Sequence, residues 1–154
     1  MTRLASILVG LLAFGIAACG GDDAPSQEDF AERANEICRK AEESLQNVGQ
    51  NAESPQDIAD AVDRVIDESR NAVEDLADLE RPDGDAGDTA EEFVNATRRE
   101  IQDEGIPALE DLRDALRSGD QEAAQQAAQR LQGIDTGDSN RAARELGANA
   151  CAED

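Results

Sequence analysis

The chain has 154 residues, with 14 Lys and Arg against 36 Asp and Glu, and a net charge of −22 at neutral pH. That length suggests one folded domain, and that charge repels nucleic acid and anionic membrane surfaces alike. There is no His, Trp or Tyr and only 3 Phe, so His-based catalysis is excluded and the core must be built from Leu, Ile, Val and Ala, which suits helices better than sheets.

Met1-Thr2-Arg3 is a short basic start. Leu4 to Ala18 is an apolar run of 15 residues, below the roughly 20 that a membrane-spanning helix needs. It closes on Ile16-Ala17-Ala18-Cys19, small residues before a cysteine. This arrangement resembles a bacterial lipoprotein signal peptide with its lipobox. The resemblance implies cleavage between Ala18 and Cys19 and a diacylglyceryl group on the Cys19 sulfur. Two acyl chains suffice for stable anchoring, where one binds only marginally. The expected location is the extracytoplasmic face of the cell membrane, held there by the lipid on Cys19. An ordinary secretory signal cut near Ala18, or an uncleaved anchor, are the alternatives. Residues 1–18 hold one base, Arg3, and no acid, so cleavage leaves a still more acidic chain.

Residues 19–26 read as a polar, lipidated tether, and 27–154 as the folded domain. Ser26, with Asp29 three residues on, resembles a helix start. Phe30, Ala34, Ile37, Ala41, Leu45 and Val48 then recur at helical spacing, predicting a first helix over 27–48. Ser54-Pro55 opens a second, a cap followed by Pro where its missing N–H costs nothing. Its stripe runs from Ile58 through Val62, Val65, Ile66, Val73 and Leu76 to Leu79.

Asp83-Gly84-Asp85-Ala86-Gly87-Asp88 invites a calcium reading, but it fails the EF-hand template. Gly87 stands where Asp or Asn is needed, Asp88 where Gly is needed, and Val94 where the bidentate Glu belongs. The expectation is a solvated loop. Thr89 and Glu92 have capping-box spacing. Phe93, Thr97 and Ile101 continue a stripe until Gly105-Ile106-Pro107, where Pro107 removes a helical hydrogen bond. It resumes at Leu109, Leu112, Ala115 and Leu116, predicting one helix over 90–117, kinked near Pro107, with two abutting helices as the alternative. Ser118-Gly119-Asp120 is a stop followed by a cap. The fourth helix carries Ala123, Ala124, Ala127, Ala128, Leu131 and Ile134, pauses at Gly133 or Thr136-Gly137-Asp138, resumes near Ser139 and stops at Gly147. The predicted fold is therefore all-α, a four-helix bundle with up-down-up-down topology after a cleaved signal peptide.

Cys38 and Cys151 remain once Cys19 is assigned to lipid. Outside the cytoplasm such a pair is expected as a disulfide. It would tie the first helix to the chain's end, which requires the tail after Gly147 to fold back along that helix. A redox or metal-binding pair is the alternative, although no His accompanies it. The mature part also resembles small helical extracytoplasmic proteins of actinobacteria. The shared features are Asn35-Glu36-Ile37-Cys38, Arg81-Pro82, Gly119-Asp120, and Leu146-Gly147 leading to Cys151. The resemblance implies the fold, the disulfide and the location, and no activity.

No catalytic residue, metal ligand or cofactor is expected. Carboxylate pairs could in principle serve hydrolysis, but 36 acids make chance pairs common. Haem and di-metal bundle sites want His or Met ligands, and the one Met belongs to the signal. The expectation is a non-catalytic interaction or structural module, with another envelope protein as partner. The alternative is a carrier or sensor with a small ligand between its helices. An exposed apolar patch would favour the first, and a closed pocket lined by Phe30, Phe93 and Ile106 the second.

Overall fold

The computed structural model describes residues 24–50 and 52–152. The predicted signal peptide over 1–18, its cleavage site at Ala18 and Cys19, and the lipidation of Cys19 lie outside the described residues. The described residues form an all-helical bundle. Its elements are α1 (Gln27–Gln46), α2 (Pro55–Asp78), α3 (Asp85–Arg98), a π-helical segment (Arg99–Gly105), α4 (Ile106–Ser118), α5 (Gln121–Gln132), α6 (Gly137–Leu146) and a short 3-10 turn (Asn149–Cys151). These fall into the four predicted helical stretches. The third is α3, the π segment and α4 in continuous succession, and the fourth is α5 and α6 with a brief interruption.

The helix ends follow from local chemistry. Ser26 and Ser54 each accept a hydrogen bond from the third backbone N–H of their helix, and Asp29 and Asp57 reach back to the cap backbone N–H. Each box satisfies donors that would otherwise be orphaned. The Ser hydroxyls and cap amides hold both Asp carboxyls below their ordinary pKa. Asp120 caps α5 by accepting from the Ala123 N–H at 3.0 Å.

The acidic stretch 83–88 is not a loop throughout. α3 begins at Asp85, so Asp85 and Asp88 lie in its first turn, where the helix dipole favours acidic side chains. The Thr89–Glu92 capping box does not form, because Thr89 already lies inside the helix and its hydroxyl donates to the Asp85 carbonyl at 3.0 Å. Gly87 permits this start. A Cβ there would lie 2.2 Å from the Pro82 carbonyl oxygen. Gly87→Ala is therefore expected to cost about 1–3 kcal/mol through forced backbone movement, read as a lowered urea midpoint. An unchanged midpoint would show that the turn gives way freely.

Two apolar clusters hold the bundle together. Phe30 and Ala34 of α1, Leu76 of α2, Phe93 and Val94 of α3, and Ala142, Ala143 and Leu146 of α6 form one. Val62 and Ile66 of α2 meet Ile106 in the other, with Leu109, Leu112 and Leu116 of α4 packed around them. The fully buried alanines of α6 let it approach α3 closely. On the outside, Asp63 of α2 accepts from Arg113 and Arg117 of α4 at 3.2 and 2.5 Å. Burial raises the pKa of Asp63, but the two guanidinium groups outweigh it and hold the carboxyl below its ordinary range. Arg81 packs over the Phe30 ring, 5.6 Å from its centroid. It donates to the Leu76, Ala77 and Leu79 carbonyls, closing the C-terminal end of α2.

The tail folds back as the Cys38–Cys151 pair requires. Gly147 sits at φ 87°, ending α6 in the left-handed conformation, and the Ala148 N–H bonds back to the Ala143 carbonyl at 2.8 Å. Asn35 then clamps the returning chain from both sides. It donates to the Gly147 carbonyl at 3.1 Å and accepts from the Ala150 N–H at 2.7 Å. The sulfurs of Cys38 and Cys151 lie at bonding distance, 2.06 Å, with Cα atoms 5.2 Å apart.

Candidate functional site

The first half of α1 is buried against the bundle, but its second half is only partly covered. Phe30, Ala31 and Ala34 are buried, whereas Ile37, Cys38, Ala41 and Leu45, and Val48 just past its end, are half-buried. The apolar stripe continues past the point where anything packs fully against it. What faces it is a cleft of about 580 Å³, within the usual range for small-molecule sites.

Six parts of the chain build the cleft. α1 supplies Cys38, Ala41, Glu42, Leu45 and Gln46, and α2 supplies Ala72 and Leu76. Phe93 and Thr97 come from α3, and Glu100 and Ile101 from the π segment. Thr136, Ser139 and Asn140 close one side, and the tail contributes Ala150 and Cys151. The disulfide is thus part of the wall. Three other surface grooves are lined mostly by charged and polar side chains.

The π segment gives the cleft its one unusual group. The Ile106 N–H bonds to the Ile101 carbonyl, five residues back. A wider turn here relieves the clash that Pro107 would make with the preceding turn of a regular helix. Such turns inside helices recur at functional sites. Here the segment carries Glu100, which is only 6% exposed. Its Oε1 is the one buried side-chain oxygen or nitrogen among the described residues without a hydrogen-bond partner in the protein. A buried polar atom left unpaired costs about 1–3 kcal/mol, so its retention calls for a reason.

Several of the cleft's donors are already engaged. The Thr97 hydroxyl donates to the Phe93 carbonyl at 2.9 Å, and the Ser139 hydroxyl to the Thr136 carbonyl at 3.1 Å. The Asn140 amide donates to the Thr136 hydroxyl oxygen at 3.0 Å, and the Gln46 amide to the Glu42 carboxylate at 3.4 Å.

Cys38 and Cys151 are brought together as predicted, but Phe30, Phe93 and Ile106 do not share a pocket. Phe30 is sealed in the first apolar cluster, and Ile106 belongs to the second and borders a different groove. Phe93 alone lines the cleft. Glu100 was the residue missed. It stands three positions after Thr97 and seven after Phe93, on the same stripe, and an acid on an apolar stripe is the signal that marks it. Among the described residues, no three Cys, Asp or Glu side chains converge as a metal site would need, and Ile58 is the one large apolar side chain that is exposed.

No protein-family model, no curated protein and no solved structure matches the chain.

Proposed function

We infer that this protein is a lipid-anchored, extracytoplasmic, non-catalytic module that binds a small ligand in the cleft between α1 and the π segment, as a carrier or sensor. The observation that carries this reading is the apolar cleft with the unpartnered Glu100 carboxyl in its wall. Neither feature expected to separate the two readings is present among the described residues: Ile58 is the one exposed large apolar side chain, and Phe30, Phe93 and Ile106 share no pocket, so the choice rests on the Glu100-lined cleft. Non-catalytic action rests on the absence of His from the sequence. Anchoring rests on the lipobox at Ile16-Ala17-Ala18-Cys19, and an oxidising compartment suits the Cys38–Cys151 pair. Among the described residues, no helix is long and apolar enough to cross a membrane. The mature part is proposed to belong with the small helical extracytoplasmic proteins it resembles. Its helical stretches alternate up-down-up-down, and the third bends around the π segment before Pro107.

Two measurements test the reading. Cys19→Ala is expected to move the protein from the membrane fraction of the producing cells to the soluble extracytoplasmic fraction and to abolish labelling by radioactive palmitate. Retention of both would sink the anchor. Ala41→Trp, on the half-buried wall of α1, is expected to fill the cleft while leaving the helical content unchanged. It should weaken binding of a fluorescent apolar probe at least tenfold. Equal binding by the variant would remove the cleft as the site.

A further inference from the structure

We propose that the cleft selects amphiphiles carrying an ammonium group with N–H donors, and that Glu100 is the residue that makes the selection. The inference rests on the ligand-binding reading above and names the class of ligand.

The body of the cleft is apolar, with Leu45, Leu76, Phe93 and Ile101 around it. A ligand therefore needs an apolar portion of modest size. The polar groups at the wall are unequal. Thr97, Ser139 and Gln46 each already donate within the protein. The buried atom left without a partner is an acceptor, Glu100 Oε1. A ligand that satisfies it must bring a donor. Two carboxylates line the cleft, Glu42 and Glu100, and no Arg or Lys does. A cationic donor is thus favoured over a neutral one, and an anion is repelled. An N⁺–H to carboxylate hydrogen bond is about twice as strong as a neutral pair. The last torsion of a Glu side chain is soft, so the carboxylate can turn its free oxygen toward a seated ligand. A quaternary ammonium has the charge but no N–H, so it satisfies the field of the cleft and leaves Oε1 unpaired.

The test uses one apolar body with four head groups: octylamine, octyltrimethylammonium, octanol and octanoate. Each is titrated as a competitor of the fluorescent apolar probe, at high salt to screen the acidic surface. The parent protein is expected to bind octylamine at least tenfold tighter than octanoate and several-fold tighter than the quaternary analogue. In Glu100→Gln the preference for octylamine should collapse to within about threefold, with probe binding retained. That substitution changes one charge among a net −22, so surface attraction stays nearly constant. Equal affinities for all four head groups would overturn the selection and leave the cleft standing. So would an amine preference that survives in Glu100→Gln. Failure of the probe and of all four compounds to bind would overturn the cleft itself.

Discussion

Replacing Cys38 and Cys151 together by Ser is expected to lower the unfolding free energy by about 4–5 kcal/mol. The two residues are 113 positions apart, and a cross-link over so long a loop removes much of the freedom of the unfolded chain. The native state contributes as well. The tail lies along α1, held by Asn35 through hydrogen bonds to Gly147 and Ala150, and these remain in the variant. They are exposed and weak individually, so the tail is expected to fray. Because Ala150 and Cys151 form one wall of the cleft, probe affinity should fall together with stability. Urea unfolding of the parent with and without reductant, beside the double variant, checks this. Reductant should move the parent to the midpoint of the variant and leave the variant unmoved. A midpoint that ignores both would mean that the pair adds nothing to the fold.

Glu100→Met is expected to have the opposite sign, raising stability by about 1–3 kcal/mol. Met fills nearly the same volume without a buried oxygen that needs a partner. Most substitutions at a buried site destabilise, so a gain here would be diagnostic. It would identify Glu100 as a group kept at the expense of stability, as happens where a site serves binding. The same variant should lose the amine preference. The urea midpoint reports the first effect and competition with octylamine the second. A Met variant less stable than the parent would show that Glu100 is satisfied within the fold, and the case for its role in binding would go with it.

Much of this architecture was legible in the residues. Periodic Leu, Ile, Val and Ala marked each helix, because burial on one face dictates that spacing. Ser26, Ser54 and Asp120 marked starts and Gly119 and Gly147 marked stops, because caps are local chemistry that tertiary contacts seldom override. The run at 83–88 misled because two forces compete there. Acidic residues with glycines favour a loop, yet acids also suit the first turn of a helix, and Gly87 lets that turn press on Pro82. The interruption at Gly105-Ile106-Pro107 was visible, but its resolution as a π-helical segment was not. Pro107 demands relief in the preceding turn, and a kink, a break and a wider turn all supply it. Glu100 was hidden among 36 acids. Its spacing from Phe93 and Thr97 is the one local feature that separates it from Glu91 and Glu92, which are exposed. Only the fold buries it.

The most direct test of the ligand-binding account is native mass spectrometry of the full protein, exported by its producing cells and extracted in mild detergent, beside the Ala41→Trp variant. The account predicts a reproducible extra mass on the parent that leaves on unfolding, that carries a basic nitrogen, and that is missing from the variant. A clean polypeptide mass in both, or the same adduct on both, would contradict it.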